Sequence, residues 1–127
     1  MHEVALVVGV ALAGALGAPA RYLVERIART RWPSPWPWGT FVVNISGSFA
    51  LGVVVGLVLA QGLDPDVRTI AGTGFLGAYT TFSTYAYETV RVAADRPPRR
   101  GLAVAYASGS VVASVLAAAV GLALAGA

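Results

Sequence analysis

The chain has 127 residues, of which 57% are hydrophobic and only 12% charged, and its mean hydropathy of +0.71 lies far above that of a soluble globular domain. It has no cysteine and one histidine, His2, which excludes disulfide scaffolds, zinc sites and thiol catalysis. The net charge of +3 comes from nine arginines and no lysine, placed beside apolar stretches rather than interleaved with aromatics on a polar chain, which argues against nucleic-acid binding.

A spanning helix needs about 20 mostly apolar residues, and four such stretches fill the chain as one transmembrane domain over 1–127. The first covers about 4–20. It ends on Ala18-Pro19-Ala20, which has the look of a signal-peptide cleavage site, but no positive charge precedes it and three more spans follow, so it reads as a retained helix. From Arg21 to Arg31, charged Arg21, Glu25, Arg26, Arg29 and Arg31 mix with Tyr22, Leu23, Val24 and Ile27, which predicts a helix continuing into the interface. Trp32-Pro33-Ser34-Pro35-Trp36-Pro37-Trp38 then ends it with helix-breaking prolines and the tryptophans of an interfacial belt.

The second span is about 39–60, and the turn Gln61-Gly62-Leu63-Asp64-Pro65-Asp66 separates it from the third, about 67–89. Arg91 to Arg100 is the last charged connection, before a fourth span of small and aliphatic residues at about 101–125. Ser48, Gly52 and Gly56 in the second span, and Gly109, Ala113, Ala117 and Gly121 in the fourth, recur every fourth place. That spacing lets helix backbones approach closely, either within one subunit or across a dimer seam. No internal repeat is visible, so an inverted repeat would have to come from a second chain.

The third span is the anomalous one. Gly72 to Thr84 places three glycines, four threonines and a serine at membrane depth, a poor helix by propensity. Freed backbone groups cost several kcal/mol each in hydrocarbon, so irregular backbone survives only inside protein or beside water. The run predicts a break near Gly77 to Thr80, whose carbonyls suit a cation such as Na⁺; the alternative is a kink with threonines bonding back to their own helix. Gly72-x-Gly74-x-x-Gly77 matches a dinucleotide fingerprint by letter, but it lacks a strand and a βαβ unit and is discarded.

Asn44 stands among Phe41, Val42, Val43, Ile45 and Phe49, where an unpaired amide is costly; it either faces an anion or bonds to another helix. Phe82 and Tyr85 follow the break, and their ring edges carry the positive end of the aromatic quadrupole, which suits a small anion. Tyr106, Ser110 and Ser114 form a hydroxyl stripe at i, i+4 and i+8, either a wet track or hydroxyls bonded to the i−4 carbonyl. Arg21 either snorkels to the interface or points inward to attract anions, with Glu88 as one potential partner.

Gly14 to Tyr22 closing the first span, Gly39-Thr40-Phe41-Val42-Val43-Asn44-Ile45-Ser46-Gly47-Ser48-Phe49 opening the second, and Gly74 to Thr84 in the third together resemble the small bacterial fluoride channels called Fluc or CrcB. The resemblance covers the whole chain. It implies an all-α integral membrane protein with four spans and a break in the third, assembled as an antiparallel dual-topology dimer in the cell (inner) membrane. It also implies two fluoride pores and one structural Na⁺ at the dimer centre. Gly77 and Thr80 match the sodium-binding carbonyls and Asn44 the pore amide. Phe82 matches the first pore aromatic, in a string that continues through Ser83 and Thr84, and Arg21 matches the motif arginine. Tyr106, Ser110 and Ser114 match the hydroxyl track. Tyr85 departs from the family's usual second phenylalanine, and Ala78 replaces a second glycine.

The function implied is passive, selective export of fluoride. Fluoride enters cells as HF, dissociates, and the membrane potential expels the anion through a pore whose donors replace its water. The rival class is a proton-coupled small multidrug exporter, also four-helical and dimeric, which needs an intramembrane carboxylate; Glu3 lies only at the edge of the first span. No catalytic constellation for an intramembrane enzyme is present.

The arginines add an orientation. Arg21, Arg26, Arg29 and Arg31 follow the first span and Arg91, Arg96, Arg99 and Arg100 the third, against Arg68 alone on the other side. Short-loop arginines stay in the cytoplasm, which places both termini outside. An antiparallel homodimer must overcome that bias in half of its copies; the alternative is a heterodimer with an oppositely oriented homologue.

Overall fold

The computed structural model describes residues 1–127, and its regular elements are all helices. Helix α1 spans His2–Arg31 and α2 spans Trp38–Gln61. The third membrane segment is assembled from pieces: a turn α3 at Pro65–Val67, a π-helical stretch at Arg68–Leu76, a turn α4 at Gly77–Tyr79, and α5 at Ser83–Ala93. Helix α6 closes the chain over Arg100–Gly126.

Thirty residues at 1.5 Å each make α1 about 45 Å long, well beyond a hydrocarbon core of about 30 Å. Its arginine-bearing last turns therefore lie in the interface, as their mixed composition suggests. Gly62, at φ +69°, ends α2 in the left-handed conformation, and the N–H of Leu63 reaches back to the Leu57 carbonyl at 3.2 Å. Three helices, α1, α2 and α6, are each long and apolar enough to cross a membrane. The third segment is not continuous, because the break leaves α5 only 11 residues long.

The burial pattern is that of a membrane protein. Only 18 of 127 residues are buried, while Val7, Leu12, Leu16, Leu59, Val104 and Leu124 are among the large apolar side chains on the surface. Such a surface suits lipid and partner helices, not water.

Backbone proximity holds the interior together. Helix α2 runs along α6, and a Cβ on Gly52 would collide with the Ala118 carbonyl, one on Gly121 with the Phe49 carbonyl, while one on Gly56 would lie 2.9 Å from the Leu122 carbonyl. Gly52, Gly56 and Gly121 of these stripes thus serve packing within one subunit. Helix α1 packs on the third segment in the same way: a Cβ on Gly17 would strike the Phe75 carbonyl, and one on Gly74 would lie 2.9 Å from the Val10 carbonyl.

The ends of the bundle are also defined. His2 Nε2 lies 2.6 Å from Asp66 Oδ2 and Gln61 donates to the Ala125 carbonyl at 2.9 Å, so both termini and the middle turn share one end. Arg29, Trp32 and Arg91 line a common hollow at the other end, where the two arginine-rich connections meet.

If close approach of α2 and α6 stabilises the fold, Gly52→Ala should cost about 1–3 kcal/mol, the usual range for overpacking. Gly101→Ala, where a Cβ would meet nothing within 4 Å, should be near neutral. Thermal melting of the two variants in one detergent measures the difference.

Candidate functional site

The break begins where α4 stops. Thr80 takes φ −77°, ψ 159°, an extended conformation in the middle of a membrane segment. Its own N–H still donates to the Leu76 carbonyl at 2.9 Å, and its hydroxyl donates to the same oxygen at 2.9 Å. The threonine back-bond expected of a kink is therefore present, yet the helix goes on to break.

Thr81 supplies the next link. Its N–H donates to Asn44 Oδ1 at 2.8 Å, and Asn44 Nδ2 donates to the Thr81 carbonyl at 2.8 Å. The Asn44 side-chain amide on α2 thus pairs with the exposed peptide groups of the break, which answers where its polar atoms go. The second N–H of Nδ2 remains for the cavity beside it. The Thr81 hydroxyl accepts from the Thr84 N–H at 3.1 Å and so starts α5.

A cavity of about 390 Å³ opens at this point, lined by Asn44, Thr80, Phe82, Tyr85, Ser110 and Ser114, with Thr81 and Ser48 among the remaining wall. It has no charged side chain in its lining. Phe82 is 79% exposed, so one chain encloses only part of the cavity and leaves this ring on an open side.

The hydroxyls divide by whether they already have a partner. Tyr85 donates to the Ala107 carbonyl on α6 at 2.9 Å, so its extra oxygen, relative to phenylalanine, pins α5 to α6. Its ring lies 5.7 Å, centre to centre, from both Phe82 and Tyr106. Tyr106 is completely buried and Ser110 nearly so, and neither hydroxyl has a hydrogen-bond partner. Ser110 is therefore not bonded back to its own helix, and its hydroxyl is left for a ligand or water at the cavity wall, whereas the Tyr106 hydroxyl lies beside Thr40 away from the cavity. Ser114 lies on the same helix and lines the cavity, while Tyr106 sits behind Tyr85 and in edge contact with Trp36 at 5.5 Å.

The other residues singled out by sequence lie around this centre. Arg21 turns inward rather than snorkelling and reaches the Thr80 carbonyl at 3.4 Å, a long contact that leaves the oxygen capacity for a second partner. Gly77 is exposed beside the break. Ser83 is exposed outside the cavity, and Thr84 lines a second, smaller hollow of about 190 Å³ together with Glu25, Trp36, Thr40 and Glu88. Glu88 pairs with Arg91 at 2.6 Å, not with Arg21. Thr81 is the participant that the sequence did not single out. Its signal was its place in the Thr80-Thr81-Phe82-Ser83-Thr84 string, but its contribution is main-chain and has no side-chain signature.

A multi-pass membrane protein with a broken helix, a polar cavity at the break and donors supplied by one amide and several hydroxyls is the class that this geometry defines. The family profile described as CrcB-like protein, Camphor Resistance (CrcB), matches residues 8–122, and the chain belongs to that family. It is 50% identical over 97 residues to the Fluoride-specific ion channel FluC 1 of Leifsonia xyli subsp. xyli, covering 76% of this chain and 71% of that one. It is 47% identical over 117 residues to FluC 1 of Frankia casuarinae (87% and 88% covered) and 46% over 114 residues to FluC 2 of Moorella thermoacetica (89% and 90%).

Tyr85→Phe keeps the ring and removes only the bond to Ala107, so it should lower stability by about 0.5–1.5 kcal/mol, the usual net worth of one hydrogen bond. Chemical or thermal unfolding in detergent checks this directly.

Proposed function

We propose that this chain forms a fluoride-selective channel that exports the anion passively. The observation that carries the reading is the cavity at the helix break, which offers an amide N–H, aromatic rings and the unpartnered buried hydroxyl of Ser110 without a carboxylate, in a chain from a family whose relatives carry the name fluoride-specific ion channel. Fluoride holds water tightly, and a conducting pore must replace that shell with donors while binding no single ion too firmly. Asn44 Nδ2, Ser110 and Ser114 supply donors at the cavity wall, Tyr106 continues their stripe behind Tyr85, and Phe82 and Tyr85 supply ring edges. Because the Tyr85 hydroxyl is held by Ala107, this residue acts toward the ion through its ring. Arg21, Ser83 and Thr84 lie on the approaches: Arg21 as a fixed positive charge near the break and Thr84 in the hollow toward the arginine-rich end.

The working unit is an antiparallel dual-topology dimer in the inner membrane, each chain being a single channel domain over 1–127. The exposed Phe82 and Gly77 support a second chain as the missing wall. Main-chain oxygens of Gly77 and Thr80 beside the break would hold a structural Na⁺ where two chains meet. No group of three or more His, Asp or Glu side chains converges on a metal site, whereas the carbonyls beside the break have lost helical donors. Such an ion would supply the positive partner that these carbonyl dipoles lack within the chain.

A proton-coupled exporter would need its carboxylate at the cavity. Glu25 and Glu88 instead line the hollow beside Arg29 and Arg91, and Glu3 is exposed on the first helix. The relatives' name, fluoride-specific ion channel, likewise supports a channel and not an enzyme.

With Arg21 turned inward, the arginine count between the two ends is seven to one, and the structure places both arginine-rich connections at the same end. A homodimer therefore has to insert half of its copies against a strong bias, and a heterodimer with an oppositely biased homologue is the other arrangement.

Four measurements test these readings. Purified protein in liposomes should release fluoride without ATP or a proton gradient, and an absence of efflux would overturn the channel reading. Phe82→Ile should abolish efflux, whereas Tyr85→Phe should preserve or raise it. Ser110→Ala should raise thermal stability by removing an unsatisfied buried hydroxyl, yet slow efflux; unchanged efflux would remove Ser110 from the pathway. A C-terminal tag accessible from both membrane sides supports the homodimer, and a uniformly external tag with no conduction from this chain alone supports the required partner.

A further inference from the structure

In an unbroken α-helix the N–H of residue 81 would donate to the carbonyl of residue 77. Here Thr81 gives that proton to Asn44 Oδ1 at 2.8 Å. The Gly77 carbonyl therefore lacks its helical donor, which bonds instead to a side chain 37 residues away on another helix. Helical bonding stops one step earlier, with the Thr80 N–H on Leu76.

The same amide treats the other oxygens of the break unequally. Asn44 Nδ2 covers the Thr81 carbonyl at 2.8 Å, and the Thr80 carbonyl has only the long contact from Arg21 at 3.4 Å. Gly77 is exposed, and a Cβ there would meet nothing nearer than the Gly72 carbonyl at 3.6 Å, so its surroundings leave room for a ligand. One primary amide thus matches both faces of one peptide unit. It satisfies the oxygen that would otherwise be stranded and withholds a donor from another.

We propose that Asn44 is a positioning residue for the cation site: by capturing the Thr81 N–H it holds the helix open and keeps the Gly77 carbonyl unmasked. This rests on the reading that Na⁺ is held by Gly77 and Thr80, and it adds a role separate from donation to fluoride. The acceptor half of the amide, Oδ1, maintains the cation oxygens. The donor half, Nδ2, secures the Thr81 carbonyl and faces the cavity. The two halves couple the ion path to the centre of the assembly through a single side chain.

The halves can be separated by substitution. Asn44→Ala removes both and lets the Thr81 N–H return to Gly77. Asn44→Asp keeps an acceptor for Thr81 and removes the donors. The test measures thermal stability of the purified assembly in NaCl and in N-methylglucamine chloride, with fluoride efflux from liposomes in parallel. The wild type should melt higher in Na⁺. N44A should lose both that shift and efflux, whereas N44D should lose efflux and retain the shift. A wild-type Na⁺ shift that persists in N44A overturns this inference while leaving the sodium site standing. A wild type that conducts but has no Na⁺ shift overturns the sodium reading and this inference with it. Should N44A fail to fold, N44D alone decides, since loss of its Na⁺ shift means that the acceptor does not maintain the site.

Discussion

Main-chain groups in a bilayer have no water to turn to, so each one freed from a helix must find a protein partner or line a cavity. The exchange between the Asn44 amide and the Thr81 peptide meets that demand at the point where the third segment breaks, with two bonds of 2.8 Å. Without it the extended conformation at Thr80 would strand a donor and an acceptor at membrane depth. The cavity, the start of α5 and the disposition of Phe82 and Tyr85 all follow from where that break is fixed.

The packing around the break explains how a bilayer protein can hold it. Lipid offers no hydrophobic drive for helices to associate, so close backbone contact must supply the attraction. Gly52, Gly56 and Gly121 bring α2 and α6 together, and Gly17 and Gly74 seat the third segment on α1. These two rigid seams place Asn44 opposite Thr81. The aromatic series Phe82, Tyr85, Tyr106 and Trp36, with neighbouring ring centres 5.5–5.7 Å apart, then joins the break to the tryptophan belt at the end of the bundle.

The polar groups around the break are unequally satisfied. The Tyr85 hydroxyl is committed to Ala107 and serves structure, while the Tyr106 and Ser110 hydroxyls are buried without partners. An unsatisfied buried hydroxyl lowers stability and keeps a donor available, and native proteins tolerate such groups mainly where a ligand or water completes them. The same contrast holds for main-chain oxygens, with Thr81 covered by Asn44 and Gly77 deprived of its helical donor.

Much of this was legible in the sequence. Hydropathy and the tryptophan-proline run marked the spans, because transfer of apolar residues into lipid is a local property of composition. The glycines and threonines from Gly72 to Thr84 marked the irregular backbone, because propensity is local too. Short-range pattern could not decide which group would be whose partner. Asn44 was visible as a costly amide but its match to Thr81 lies 37 residues away, and Thr81 acts through its backbone, which every residue has. Whether Arg21 snorkels or turns inward, whether Gly52, Gly56 and Gly121 pack within one chain, and whether the Tyr85 and Ser110 hydroxyls are taken or free were settled only by the tertiary structure. The physical reason is that hydrogen-bond satisfaction belongs to pairs of groups in space, and a residue's type gives its capacity to bond but not its partner.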